Sequence, residues 1–160
     1  MMTRILSIAF FMLVLAIPVN AADFRPFGSK SRPLIENELA GKPFILALWS
    51  VDCPYCMEDL QALGQLVKQH PELALVTVCT DARETSESAA RLLDSLDLPQ
   101  HGRWQFAERD DERLRYNIDK NWYGELPRTY FYNARHEVKA LSGKPDPLVL
   151  DAWGAALKPR

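Results

Sequence analysis

Two short apolar runs, the second broken only by Thr77, with a helical stripe between them constrain this chain more than any other feature. Phe44-Ile45-Leu46-Ala47-Leu48-Trp49 follows the turn residues Gly41-Lys42-Pro43, and Leu73-Ala74-Leu75-Val76-Thr77-Val78-Cys79 follows His70-Pro71. Runs of this length without polar alternation suit strands covered on both faces of a sheet. Between them Leu60, Leu63, Leu66 and Val67 recur at helical spacing, and Ala89, Ala90, Leu92, Leu93 and Leu96 predict a second helix between about Glu84 and Leu96. The order strand, helix, strand, helix predicts an α/β fold.

The junction between the first run and its helix carries the chemistry. Trp49-Ser50-Val51-Asp52-Cys53-Pro54-Tyr55-Cys56 puts two thiols three positions apart at the carboxyl end of a strand, where open α/β sheets carry their sites. Thiols at this spacing can face each other across one helical turn and close a small disulfide. With Cys53 in the first turn of the helix, unpaired N–H groups and the positive end of the macrodipole favour its thiolate, the attacking form. Cys56 is then placed to resolve a mixed disulfide. Pro54 suits a first helical turn, where its missing N–H has no helical partner. A purely structural disulfide is the poorer explanation, because so short a loop removes little chain entropy. A zinc site needs two further ligands, and the remaining cysteine is the solitary Cys79. Cys79 lies on the second apolar run and reads as a small core residue rather than a third redox thiol. His70, His101 and His136 lie near predicted turns, and none is placed for catalysis.

A chain of 160 residues with 48% hydrophobic composition is long enough for one domain with its own core. A net charge of −2 with both signs interspersed gives no electrostatic case for a nucleic-acid partner. Residues 1–21 read as a secretory signal. Arg4 precedes an apolar run from Ile5 to Ile17 broken only by Ser7, and Pro18 leads to a small-residue cleavage site at Ala21. Such a run is too short for an ordinary membrane span, with an uncleaved anchor as the alternative. Either way the remainder is exported, to the periplasm if the signal is cleaved. There a disulfide persists unless a dedicated electron supply reduces it. Residues 22–41, with Pro26, Gly28, Ser29 and Pro33, read as a surface lead-in, and 42–160 as the domain.

Further along, Trp104 to Ala107 predicts a short strand, and Glu108 to Arg115 alternates charges around Leu114 as a solvated helix face does. Tyr123-Gly124-Glu125-Leu126-Pro127 is a turn ahead of the β-prone run Arg128 to Tyr132. Asn133-Ala134-Arg135 then turns the chain toward His136 to Leu141 as a hairpin. Asp146-Pro147 is an N-cap followed by a first-turn proline, and Val149, Trp153 and Leu157 fall four apart with Leu150 beside them, predicting a terminal helix.

From about Gly41 to Leu157 these pieces resemble the thioredoxin fold, and within it the TlpA/ResA-like exported thiol-disulfide oxidoreductases. The resemblance rests on Gly41-Lys42-Pro43, Trp49 four residues before Cys53, Cys53-Pro54-Tyr55-Cys56 and Gly124-Glu125-Leu126-Pro127-Arg128-Thr129. It implies a central mixed sheet flanked by helices, and oxidoreductase chemistry at Cys53 and Cys56 with no cofactor and no metal. It also implies a cis peptide before Pro127 beside the CxxC, with Leu126 offering backbone hydrogen bonds to a bound polypeptide. Trp49 and Tyr55 would line the same docking surface.

Four positions depart from that pattern. Ala47 stands where thioredoxins often have a buried Asp. Asp59 stands where exported relatives often have Glu, one helical turn beyond Cys56, and is the candidate for proton transfer. An exposed helical carboxylate is the competing reading of Asp59. Asp52 replaces an aromatic residue directly before Cys53, and a carboxylate there, unless solvated, opposes thiolate formation and favours a reducing pair. Gln61 replaces a helix-kinking proline. The expected function is therefore reduction of protein disulfides in an exported compartment, with protein thiols and disulfides as partners and a membrane-bound electron donor. The alternative is a copper(I) carrier using the same two thiolates, although no Met or His is clearly placed to complete its site. A peroxiredoxin-type peroxidase fits less well, since Leu46 stands where those enzymes place a proline, although Ser50 could replace their threonine.

Overall fold

The computed structural model describes residues 24–99, 101–108 and 110–157. The signal predicted at residues 1–21 lies outside the described residues. In chain order the elements are β1 (Arg25–Phe27), α1 (Ser31–Glu38), β2 (Phe44–Trp49), α2 (Cys56–Gln69), β3 (Ala74–Cys79), α3 (Ser86–Ser95), β4 (Gly102–Phe106), α4 (Asp111–Ile118), β5 (Arg128–Tyr132), β6 (Val138–Ser142) and α5 (Pro147–Ala156). The six strands form one sheet in the order β1-β4-β3-β2-β5-β6. The pairs from β1 to β2 are parallel, β5 runs antiparallel to β2, and β6 antiparallel to β5. The α/β class and the mixed sheet flanked by helices match the expectation from sequence.

The unbroken apolar run of β2 is explained by its central place, flanked by β3 and β5 and buried along its whole length. Alternation sorts its side chains between two cores. Phe44, Leu46 and Leu48 pack with Ile35, Val76, Val78, Trp104, Leu114 and Tyr132 on the face covered by α1 and α4. Ile45, Ala47 and Trp49 pack with Leu60, Leu63, Leu75, Leu93, Phe131 and Leu150 on the face covered by α2, α3 and α5. The terminal helix forms where the N-cap motif placed it, with the Asp146 side chain accepting from the Leu148 N–H. Leu150 and Gly154 are its buried residues, while Trp153 is half-buried against Phe131 with ring centroids 5.0 Å apart.

Residues 24–39 are not a surface lead-in. Strand β1 pairs with β4 through Arg25–Trp104, Pro26–Gln105 and Phe27–Phe106, and Phe27, Ile35 and Leu39 are buried. The Arg25 guanidinium lies 3.9 Å over the Trp104 ring and pairs with Glu38, tying β1, β4 and α1 together. The mixed-charge stretch around Leu114 forms α4, with Leu114 and Ile118 as its buried residues.

Candidate functional site

Strand β2 ends at Trp49, and six residues of turn carry the chain to α2. Cys53 and Cys56 are joined by a disulfide, with an S–S distance of 2.09 Å and Cα atoms 5.4 Å apart. Cys56 is fully buried at the head of α2, Cys53 is partly exposed, and Tyr55 beside them is 62% exposed. The pair therefore leaves Cys53 partly open to solvent and keeps Cys56 beneath it. The helix starts later than the CxxC spacing predicts. Cys53 and Pro54 precede it, and the Cys53 carbonyl accepts the Cys56 N–H at 3.3 Å. Cys53 thus faces the positive end of α2 from outside rather than from its first turn, and that field weakens with distance.

The Leu126–Pro127 peptide is cis. The β2–β5 register pairs Leu48 with Arg128, so one step further along lie Trp49 on one side and Pro127 on the other. Polar bonds brace this loop. The Trp122 indole donates to the Glu125 carbonyl at 2.8 Å, and the Gly143 N–H donates to the Pro127 carbonyl at 2.8 Å. Arg128 donates to Ser142 Oγ at 2.7 Å and to Asp119 Oδ2 at 2.6 Å, and Ser142 Oγ donates to Glu125 Oε1 at 2.7 Å. Gly124 takes φ +97°, left-handed backbone that glycine adopts without a Cβ penalty. Removing the cation from a largely buried pair leaves its carboxylate uncompensated. Arg128→Ala is accordingly expected to lower unfolding stability by roughly 3 kcal/mol in chemical denaturation, with Arg128→Lys recovering only part.

Asp59 is buried, at 1% exposure, rather than an exposed helical carboxylate. Its Oδ2 accepts from Thr129 Oγ1 at 3.4 Å, and among the described residues its Oδ1 has no hydrogen-bond partner. Burial pushes this carboxyl up to about 7, against smaller opposing effects from the Thr129 hydroxyl and the Lys144 ammonium. Thr129 sits directly across from Ala47 in the sheet register. The helix thus delivers a buried carboxyl to the strand pair where thioredoxins often carry one on the strand itself.

Trp49 does not line a docking surface. It is fully buried, because its place in the β2 alternation turns it into the core beneath α2, and its indole N–H has no partner among the described residues. Of the residues expected at the surface, Tyr55 is exposed, Leu126 is half-buried and Pro127 is buried. Cys79 is buried, and its thiol, donating to Asp81 Oδ2 at 3.3 Å, is pushed up to about 12 chiefly by burial. It stays protonated at physiological pH and fits the core role expected of it. Sequence reasoning missed Asp81, which bonds to the turn before Cys53. The available signal was its position just beyond the strand that runs parallel to β2.

Fold and site together define a thioredoxin-like α/β protein with a CxxC disulfide at the β2-to-α2 junction of its central sheet. Among solved structures it is similar to a secreted Mycobacterium tuberculosis disulfide oxidoreductase homologous to E. coli DsbE. That match has a TM-score of 0.57 and 22% identity, covering 76% of this chain and 86% of that one. It is also similar to a thiol:disulfide interchange protein of the thioredoxin family from Chlorobium tepidum, with a TM-score of 0.61, 14% identity, and coverage of 76% and 83%. A thiol-disulfide isomerase from Corynebacterium glutamicum matches with a TM-score of 0.60, 16% identity, and coverage of 76% and 84%. At these identities the likeness is one of fold. No protein-family model and no curated protein matches the chain.

Proposed function

We propose that this protein is an exported thiol-disulfide oxidoreductase of the TlpA-like type that reduces protein disulfides through Cys53 and Cys56. The observation that carries the reading is the asymmetry of the pair, with an accessible Cys53, a buried Cys56, and a buried, protonatable carboxyl three residues beyond it on α2.

In the reduced protein the Cys53 thiolate attacks one sulfur of a substrate disulfide. The substrate S–S bond breaks, a mixed disulfide forms on Cys53, and the other substrate sulfur leaves as a thiolate that takes a proton. The Cys56 thiol gives its proton to the Asp59 carboxylate and attacks Cys53 Sγ. The second substrate thiolate leaves, and the Cys53–Cys56 disulfide remains. Two electrons pass from the protein to the substrate, so each turnover requires a dithiol donor to reduce the pair again, a role suited to a membrane-bound partner. Tyr55 and Leu126 form the docking edge, with Leu126 presenting backbone to an extended polypeptide and the buried Pro127 holding the turn behind it. Trp49 supports that edge from below.

Export is supported by the signal-like residues 1–21 and by the secreted protein among the structural neighbours. Asp52, the carboxylate next to the attacking sulfur, opposes its thiolate and so favours the reducing direction, an effect that its exposure to solvent weakens. Equilibration in glutathione buffers tests it. The expected potential lies below about −220 mV, and a value near −120 mV, typical of a strong oxidant, would reverse the assigned direction. Titration with copper(I) in the same series separates the carrier reading, which requires tight binding to the reduced pair and no disulfide turnover.

A further inference from the structure

We propose that Asp81 is a positioning residue for the reaction at Cys53, acting as the clamp that fixes the turn between β2 and the exchanging sulfur. The proposal rests on the reading of Cys53 and Cys56 as that exchanging pair.

Asp81 lies two residues beyond β3, whose parallel register sets Cys79 beside Trp49. Its carboxylate takes hold of the turn with both oxygens. Oδ1 accepts from Ser50 Oγ at 2.7 Å, and Oδ2 accepts from the Val51 N–H at 2.7 Å as well as from Cys79 Sγ. With its hydroxyl hydrogen committed to Asp81, Ser50 Oγ offers a lone pair to the Asp52 N–H at 3.2 Å, and the Ser50 carbonyl accepts the Cys53 N–H at 3.3 Å. Every backbone donor from Val51 to Cys53 is therefore engaged within the turn, and the first of those bonds is to the carboxylate itself. Hydrogen bonds to an ionised acceptor are about twice as strong as neutral ones.

The clamp is anchored from the far side. Gln105 on β4, 2% exposed, donates from Nε2 to the Asp81 carbonyl at 3.2 Å and to the Ala82 carbonyl at 2.8 Å, while its Oε1 accepts from Ser86 Oγ at 2.5 Å. The Thr80 N–H donates to the Trp49 carbonyl at 2.8 Å, joining the two strand ends directly. Through these bonds the place of Cys53 is set by β3 and β4, not only by the helix that follows it. Thiol-disulfide exchange needs the incoming sulfur in line with the bond it breaks, so a loosened turn lowers the rate while the fold survives.

Asp81→Asn and Asp81→Ala, each in a Cys56→Ser background, test the proposal. Both remove the charge, and only Asn keeps an acceptor for the Val51 N–H, so the difference between them reads positioning apart from electrostatics. The primary readout is the rate of Cys53 alkylation by iodoacetamide, which needs no partner protein, with thermal midpoints measured alongside. The Ala variant is expected to react ~3-fold more slowly than the Asn variant at pH 7, as a Cys53 that swings away from the positive end of α2 loses thiolate. Ser50→Ala should fall between them. In the full CxxC background, reduction of insulin should follow the same order. Equal alkylation rates for Asn and Ala, or a difference that follows the thermal midpoints, would overturn the proposal. A wild-type protein that reduces no disulfide, with the alkylation order intact, would instead overturn the functional reading and leave the clamp standing.

Discussion

Cys53→Ser is expected to abolish reduction of protein disulfides, by at least about 10³-fold, while Cys56→Ser retains the first step and accumulates a stable adduct with its substrate. The difference follows from exposure. Cys53 is the sulfur a partner can reach, and Cys56 lies sealed at the head of α2, where it can attack only a neighbour already bound to Cys53. Non-reducing electrophoresis and mass spectrometry of Cys56→Ser, mixed with a disulfide-bonded protein after reduction, should show one partner linked through Cys53. The Cys53→Ser variant should show none. An adduct forming on Cys56 in that second variant would mean that the buried thiol is the accessible one and that the order of attack is reversed.

The second large effect concerns Asp59. Burial raises its carboxyl from 3.8 to about 7, so the native protein prefers it protonated while the unfolded chain ionises it freely. Its cost to stability is absent below about pH 3.8, grows as pH rises, and is complete above pH 7, where it amounts to roughly 4 kcal/mol. Asp59→Asn carries no such cost. Its thermal midpoint should exceed that of the wild type by a margin that widens from pH 4 to pH 8 and then stays level. Activity should move the other way. Resolution of the mixed disulfide should slow ~10–100-fold without the proton acceptor, and the rise in wild-type rate near pH 7 should disappear. A variant that gains no stability at high pH would show that the carboxyl is not held neutral in the native state. One that keeps the wild-type pH profile would remove Asp59 from the proton path.

The β2–α2–β3 unit and the CxxC were legible because their signals are local, a run of apolar residues or a fixed spacing read within one window. The turn ahead of Pro127 was legible for the same reason, and the cis peptide expected there from the resemblance is present. What escaped depends on partners far along the chain. Strand β1 is three residues long and pairs with residues 104–106, so nothing in its own composition distinguishes it from a loop. The burial of Asp59 is set by its packing against β5, where Thr129 lies 70 positions away, and the role of Asp81 by bonds to Ser50 and Val51, about 30 positions back. Trp49 was misplaced for a different reason. An aromatic near a reactive cysteine suits a docking surface, but β2 is covered on both faces to its last residue, so Trp49 is buried whichever way it points, here beneath α2.

Strand β1 also guards the fold against itself. It occupies the outer side of β4, whose other side is taken by β3, so the sheet terminates there in a three-residue segment bearing Arg25 and Pro26 rather than in a longer, bare ribbon. A version trimmed back to Gly41 would uncover that ribbon, with its free amides and carbonyls, beside the hollow left by Phe27, and such a margin is a template for self-association. A well-behaved fragment of this protein therefore keeps Phe24 to Phe27.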